Sequence, residues 1–170
     1  MKREEEKRYR TFEDLEAYQI ARAFRKSMYG IGRRLPDFEN FSLAGQIRRA
    51  AVSLTNNIAE GHGRFHFLDQ IKFMLQARGS LEELLDDLNV CEDEKYVALA
   101  EIESLKAAGW RVHKLINGYI RFLRTRKAAD PSRIQEQPQA DEELDDLALL
   151  EYEAISRCNP STLQPFNDSP

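Results

Sequence analysis

Glycine and proline are scarce, with 8 and 6 copies in 170 residues. A sandwich or barrel needs turn residues at short, regular intervals, so this poverty argues against a turn-rich β fold and for helices. Cysteine is scarcer still. Cys91 and Cys158 lie far apart and form no CxxC pair, which leaves no disulfide framework and predicts reduced thiols. No apolar run approaches the roughly 20 residues that span a bilayer. The opening Met1-Lys2-Arg3-Glu4-Glu5-Glu6-Lys7-Arg8 lacks the apolar stretch of a secretory signal. The expected address is the cytoplasm, with no membrane partner. Catalytic constellations are missing too: no Ser-His-Asp set, glycine-rich phosphate loop or pair of catalytic carboxylates can be assembled. The chain reads as a non-enzyme without catalytic residues or cofactor. His62 and His66 are four apart with Asp69 nearby, but Gly61 and Gly63 interrupt the helix that such a metal-ligand pair needs, so no metal is expected.

Charge is present and unevenly spread. Residues 1–127 hold 23 Lys+Arg against 19 Asp+Glu, while residues 128–170 hold 2 against 10. A mildly basic body is followed by a strongly acidic tail. The body comprises a charged arm, 1–10, and four helical stretches within 11–127.

The first helix is expected from Thr11, in a capping box with Asp14, to about Arg34. Its stripe is Ala17, Ile20, Ala21, Phe24, Met28 and Ile31, and Leu35-Pro36 stops it. The second starts with Ser42 as cap and ends at Gly61-His62-Gly63, where glycine suits a left-handed cap. Leu43, Ile47, Ala50, Ala51, Leu54 and Ile58 share its inner face. The third runs from about Leu68 to Glu92 with two apolar stripes, one through Ile71, Met74, Leu75, Leu81, Leu85 and Leu88, the other through Phe73, Ala77, Leu84 and Cys91. Two stripes imply two surfaces to cover, one of them on a second subunit. The fourth spans about Leu99 to Thr125. Ile102, Leu105, Gly109, Val112, Ile116, Tyr119 and Leu123 form a seam of coiled-coil type. Short connections between such helices predict an all-α, antiparallel up-down four-helix bundle. The acidic tail 128–170 reads as largely disordered, with one short amphipathic helix near 141–155.

The second helix reads Gln46-Ile47-Arg48-Arg49-Ala50-Ala51-Val52-Ser53-Leu54-Thr55-Asn56-Asn57-Ile58-Ala59-Glu60-Gly61 and is followed by Arg64. This resembles the signature of the four-helix-bundle proteins encoded in intervening sequences of bacterial 23S ribosomal RNA genes. Phe12-Glu13-Asp14-Leu15-Glu16-Ala17-Tyr18 resembles that family's first helix, and Ala77-Arg78-Gly79-Ser80-Leu81-Glu82-Glu83-Leu84 its third. The resemblance covers roughly residues 11–125. It implies a homo-oligomeric ring, a homopentamer. It also points to a related branch, the accessory variability proteins of diversity-generating retroelements, whose basic surfaces engage nucleic acid and a reverse transcriptase. Two features depart from the family pattern: the acidic extension, and Thr55 near the place of the usual helix-2 proline.

Arg33, Arg34, Arg48, Arg49, Arg64, Arg121, Arg124, Arg126 and Lys127 are the candidates for contact with RNA or DNA phosphates. Each has a plain alternative. Arg48 and Arg49 also suit pairing with Glu82, Glu83, Asp86 and Asp87 on the third helix, and cations at a helix C-terminus are favoured by its dipole. Asn57, Glu60 and Arg64, with Asn56 and Gly61, suit a polar network that sets helix or subunit register. His113 has no evident partner. Tyr18, Tyr29, Phe73, Trp110 and Tyr119 read as core or interface residues rather than as platforms for bases. The tail either keeps the chain soluble, recruits a partner protein, or regulates the basic surface.

Overall fold

The computed structural model describes residues 11–128. The arm 1–10, the acidic tail, the short helix expected near 141–155 and Cys158 lie outside the described residues. Four helices form a bundle: α1 (Glu16–Arg34), α2 (Leu43–Gly63), α3 (Phe67–Asp93) and α4 (Leu99–Ala128). Among the described residues there is no strand, and no helix is long and apolar enough to cross a membrane. Each helix packs on the next in sequence, and α4 packs back on α1.

The predicted stripes fill the core. Met28 and Ile31 of α1, Ile47 and Leu54 of α2, Met74 and Leu81 of α3, and Ile102 and Ile116 of α4 are all fully buried. Two expectations change. On α3 the second stripe is also internal, because Ala77, Leu84 and Cys91 are inaccessible and α3 packs against both α2 and α4. Both stripes thus supply core residues within one chain, while Leu75 and Phe73 stay half-buried. On α4, Ile120 rather than Tyr119 enters the core. A straight helix drifts about 20° per heptad against a 3.5-residue repeat, so after two heptads the next residue faces inward. Tyr119 is left half-buried, its ring stacked 6.0 Å from that of Phe122.

The helix ends also differ from their sequence reading. Thr11 and Asp14 do form the capping box, but on a short 3-10 turn, Phe12–Asp14. Leu15 is extended and buried beneath it, and α1 begins one residue later. Ser42 makes no side-chain cap on α2. Glu39 takes that role, accepting from the Leu43 amide at 3.2 Å and from the Ser42 hydroxyl. These bonds hold the Glu39 carboxyl below the usual carboxylate range. Glu39 also accepts from the Tyr96 hydroxyl at 3.1 Å, tying the α1–α2 connection to the α3–α4 connection. The latter is a Schellman turn, with Lys95 left-handed at φ 56° and the Tyr96 amide donating to the Cys91 carbonyl at 2.9 Å.

Gly61 is not a left-handed cap either, since no glycine among the described residues has positive φ. Its value is the missing side chain. A Cβ there would lie 2.8 Å from Met74 Cε and 2.9 Å from Phe73 Cβ on α3. Gly61→Ala is therefore expected to destabilise the bundle by roughly 1–3 kcal/mol in urea denaturation, through overpacking. Gly63→Ala, with nothing within 4 Å of the added carbon, should be neutral or slightly stabilising.

Candidate nucleic-acid interface

On α1, Arg22, Lys26, Tyr29 and Arg33 recur at spacings of four, three and four, and so share one face beside the apolar stripe. Arg48, Arg49, Val52 and Asn56 of α2 stand opposite. Between the helices runs a groove in two adjoining lobes that meet at Tyr29 and Val52. One lobe, of about 510 Å³, is lined by Tyr29, Arg48, Arg49, Val52, Ser53, Asn56 and Asn57. The other, of about 570 Å³, is lined by Arg25, Lys26, Tyr29, Arg33 and Val52. Five cations line the two lobes and no carboxylate does.

What holds each guanidinium decides how much charge it can offer. Arg25 Nη1 donates to the buried Thr55 hydroxyl at 2.9 Å, and Arg48 Nη2 donates to the Asn40 carbonyl at 2.6 Å. Both acceptors are neutral, so they orient the groups without cancelling them. Arg34, by contrast, is paired with Glu101, its Nη1 lying 3.2 Å from Oε2. Arg64 is paired with Glu60 one turn back and lies over the Phe73 ring, 4.7 Å from its centroid. Arg121, Arg124, Arg126 and Lys127 end α4 and line neither lobe. Arg126 lies over the Phe122 ring at 5.2 Å. The candidate cations therefore divide, and Arg33, Arg48 and Arg49 share the groove.

The polar network expected of Asn57, Glu60 and Arg64 also divides. Asn57 Nδ2 donates to the carbonyl and hydroxyl of Ser53, at 3.0 and 3.1 Å, and the Ser80 hydroxyl reaches Ser53 at 2.8 Å. That chain joins α2 to α3, whereas Glu60 and Arg64 pair at the end of α2. The acidic residues of α3 disperse as well. Arg48 turns to Asn40, so only Arg49 attracts a carboxylate of that group, Asp87. Glu83 is exposed, and Asp86 accepts from Asn89 Nδ2 at 3.2 Å.

Glu82 belongs to a cluster that sequence reasoning missed. Its Oε1 lies 3.4 Å from Nε2 of buried His113, whose Nδ1 is 3.3 Å from Asn117 Nδ2; Asn117 Oδ1 in turn accepts from Arg78 at 3.5 Å. Burial and then the Arg78 charge lower the His113 pKa, while burial raises that of Glu82 against the pull of Arg78. A neutral imidazole protonated at Nε2 serves both ring-nitrogen contacts, with Glu82 and Asn117. The signal lies in two i,i+4 pairs, Arg78 with Glu82 and His113 with Asn117. Arg25 and Lys26 are likewise groove residues that sequence reasoning missed, and Tyr29, read from the sequence as a core or interface residue, lines both lobes. His62 lies near the end of α2 and His66 precedes α3, on opposite sides of a turn.

Asp87 is buried, and its Oδ2 has no hydrogen-bond partner. Burial above all, then Asp86 and Glu83, push its carboxyl up to about 6 against the pull of Arg49. The proton is bound more tightly in the folded chain than in the unfolded one. Stability supplied by this site is complete below about pH 4 and is lost as pH rises through about 6. Asp87→Asn is expected to raise stability by on the order of 2 kcal/mol at pH 8 and by little at pH 4. Urea denaturation at both values checks this.

The family model of the 23S rRNA-intervening sequence proteins aligns with residues 13–118 of the chain. No curated protein matches the chain.

Proposed function

The chain belongs to the 23S rRNA-intervening sequence protein family, and from that membership we propose a non-enzymatic accessory protein that binds RNA or DNA through the α1–α2 groove. The carrying observation is a row of cations, some oriented by neutral acceptors, in a groove without a carboxylate. Such a row offers phosphates its charge and its remaining guanidinium donors together. The family's description names an RNA gene sequence, which favours RNA. The protein serves a larger nucleoprotein machine in the cytoplasm, with a reverse transcriptase as one candidate partner.

The bundle is read as antiparallel and up-down. Arg34 at the end of α1 meeting Glu101 near the start of α4 supports this, as do Arg25 with Thr55 and Ser53 with Ser80. Self-association into a ring, a pentamer by family resemblance, is supported by Phe41 and Phe65, which are 97% and 74% exposed. A ring would repeat the groove, and the fields of its copies would add.

Fluorescence anisotropy with labelled RNA or DNA at increasing salt tests the binding. Affinity is expected to fall steeply with salt. Arg33→Ala with Arg49→Ala should flatten the log–log salt slope on a single strand by about 1.4, or about 0.7 for each phosphate that is no longer neutralised. Arg34→Ala and Arg64→Ala, which remove cations already paired with carboxylates, should change it little. No binding to any nucleic acid at low salt would remove the proposal.

The charge split favours a second role, for the acidic segment 128–170: competing with nucleic acid for the basic surface, or recruiting a partner protein. Deleting it should leave nucleic-acid affinity unchanged if it recruits and raise it if it competes. Light scattering of both forms should give about five times the chain mass, which is 19.7 kDa for the full chain.

A further inference from the structure

We propose that the α1–α2 groove selects single-stranded over duplex nucleic acid, with an unpaired base laid against the ring of Tyr29. The proposal rests on reading this groove as the nucleic-acid interface and adds the form of its ligand. Tyr29 is half-buried, packed on the core at one side and lining both lobes at the other. Cations flank it in both directions: Arg25, Lys26 and Arg33 in one lobe, Arg48 and Arg49 in the other. Along α1, Lys26 and Arg33, both in the groove, stand about 10 Å apart, a span of roughly three phosphates in a stacked strand.

A duplex brings phosphates to such a row but keeps its base faces inside its own stack. A single strand brings both, and an aromatic ring among cations suits that combination. Two other aromatic rings with a cation at hand are already occupied, Phe73 by Arg64 and Phe122 by Arg126. Tyr29 has no such cover among the described residues. Exposed Asn56 adds an amide with both donor and acceptor for a base edge. The lobe they share, about 510 Å³, falls in the size range of sites for small ligands.

The test compares a labelled unstructured RNA of about twelve nucleotides, enough to exceed the stacked span, with the duplex made from it, by anisotropy at fixed salt. Wild type should bind the single strand more tightly. Tyr29→Ala should weaken that binding roughly tenfold and leave the duplex almost unaffected, while Tyr29→Phe keeps the single-strand affinity. As a readout independent of variant folding, a strand carrying 5-iodouracil is photo-cross-linked to wild type. The expected adduct is on the peptide containing Tyr29. Equal affinity for duplex and single strand, equal loss on both from Tyr29→Ala, or cross-links confined to the end of α4 would overturn the inference. Tyr29→Ala that lowers the particle mass but spares single-strand affinity would overturn it too, placing the ring in a contact between copies. Binding to duplex alone refutes this inference and spares the proposed function. Binding to neither refutes both.

Discussion

Close approach of α2 to its neighbours is the constraint on which the rest depends. Its inner face carries small residues, with Ala44 and Ala51 inaccessible and Ala50 nearly so. Gly61 lets the side chains of Met74 and Phe73 come to its backbone, and Gly32 on α1 lies against Ala44 and Ile47. A Cβ at Gly61 would force α2 and α3 apart, whereas one at Gly32 would just make van der Waals contact with α2. The polar flanks of α1 and α2 converge because the apolar faces between them are thin, and that convergence makes the groove. Most of the free energy of such packing comes from apolar burial. The contribution of the small residues is geometric: they decide where the longer side chains beside them end up.

Within that frame the arginines divide according to the acceptor each one meets. A guanidinium bonded to a carboxylate has its charge largely cancelled, and at an exposed site that pairing adds little stability. A guanidinium bonded to a hydroxyl or carbonyl is fixed in direction and keeps its charge. Arg25 and Arg48 are of the second kind, Arg34 and Arg64 of the first. Arg49 is intermediate, drawn toward a carboxyl that burial makes reluctant to ionise. The basic character of the groove thus comes from the choice of partners and not from a large excess of cations.

Helix number, helix order and nearly all of the core are legible in the sequence, because burial of an amphipathic stripe is a local, periodic signal. Ile120 escapes because a 3.5-residue template extends past the point where a straight helix follows it. The capping role of Glu39 escapes because Ser42 stands at the conventional place for a cap. The groove is half legible. Arg33, Arg48 and Arg49 stand out as cations on helices, and the spacing of Lys26 and Tyr29 beside Arg33 is open to view. What each guanidinium bonds to is not, since Thr55 is 30 residues from Arg25 and Glu101 is 67 from Arg34. Partners so distant are supplied by packing, which one-dimensional spacing does not encode.

The cluster between α3 and α4, buried at His113 and Asn117, has a consequence for how those helices are aligned. Arg78 gives to Asn117, Asn117 to His113 and His113 to Glu82, so the circuit leaves α3, runs back along one turn of α4 and returns to α3 one turn from where it began. Each amide and ring nitrogen has a sense in this circuit, and the observed alignment serves all three contacts. Sliding α4 by one turn would part a buried imidazole and a buried amide from these partners, a penalty that greasy contacts alone would not impose. The pair of buried polar groups thus favours the observed reading frame, a preference that leucines and isoleucines alone would impose less sharply.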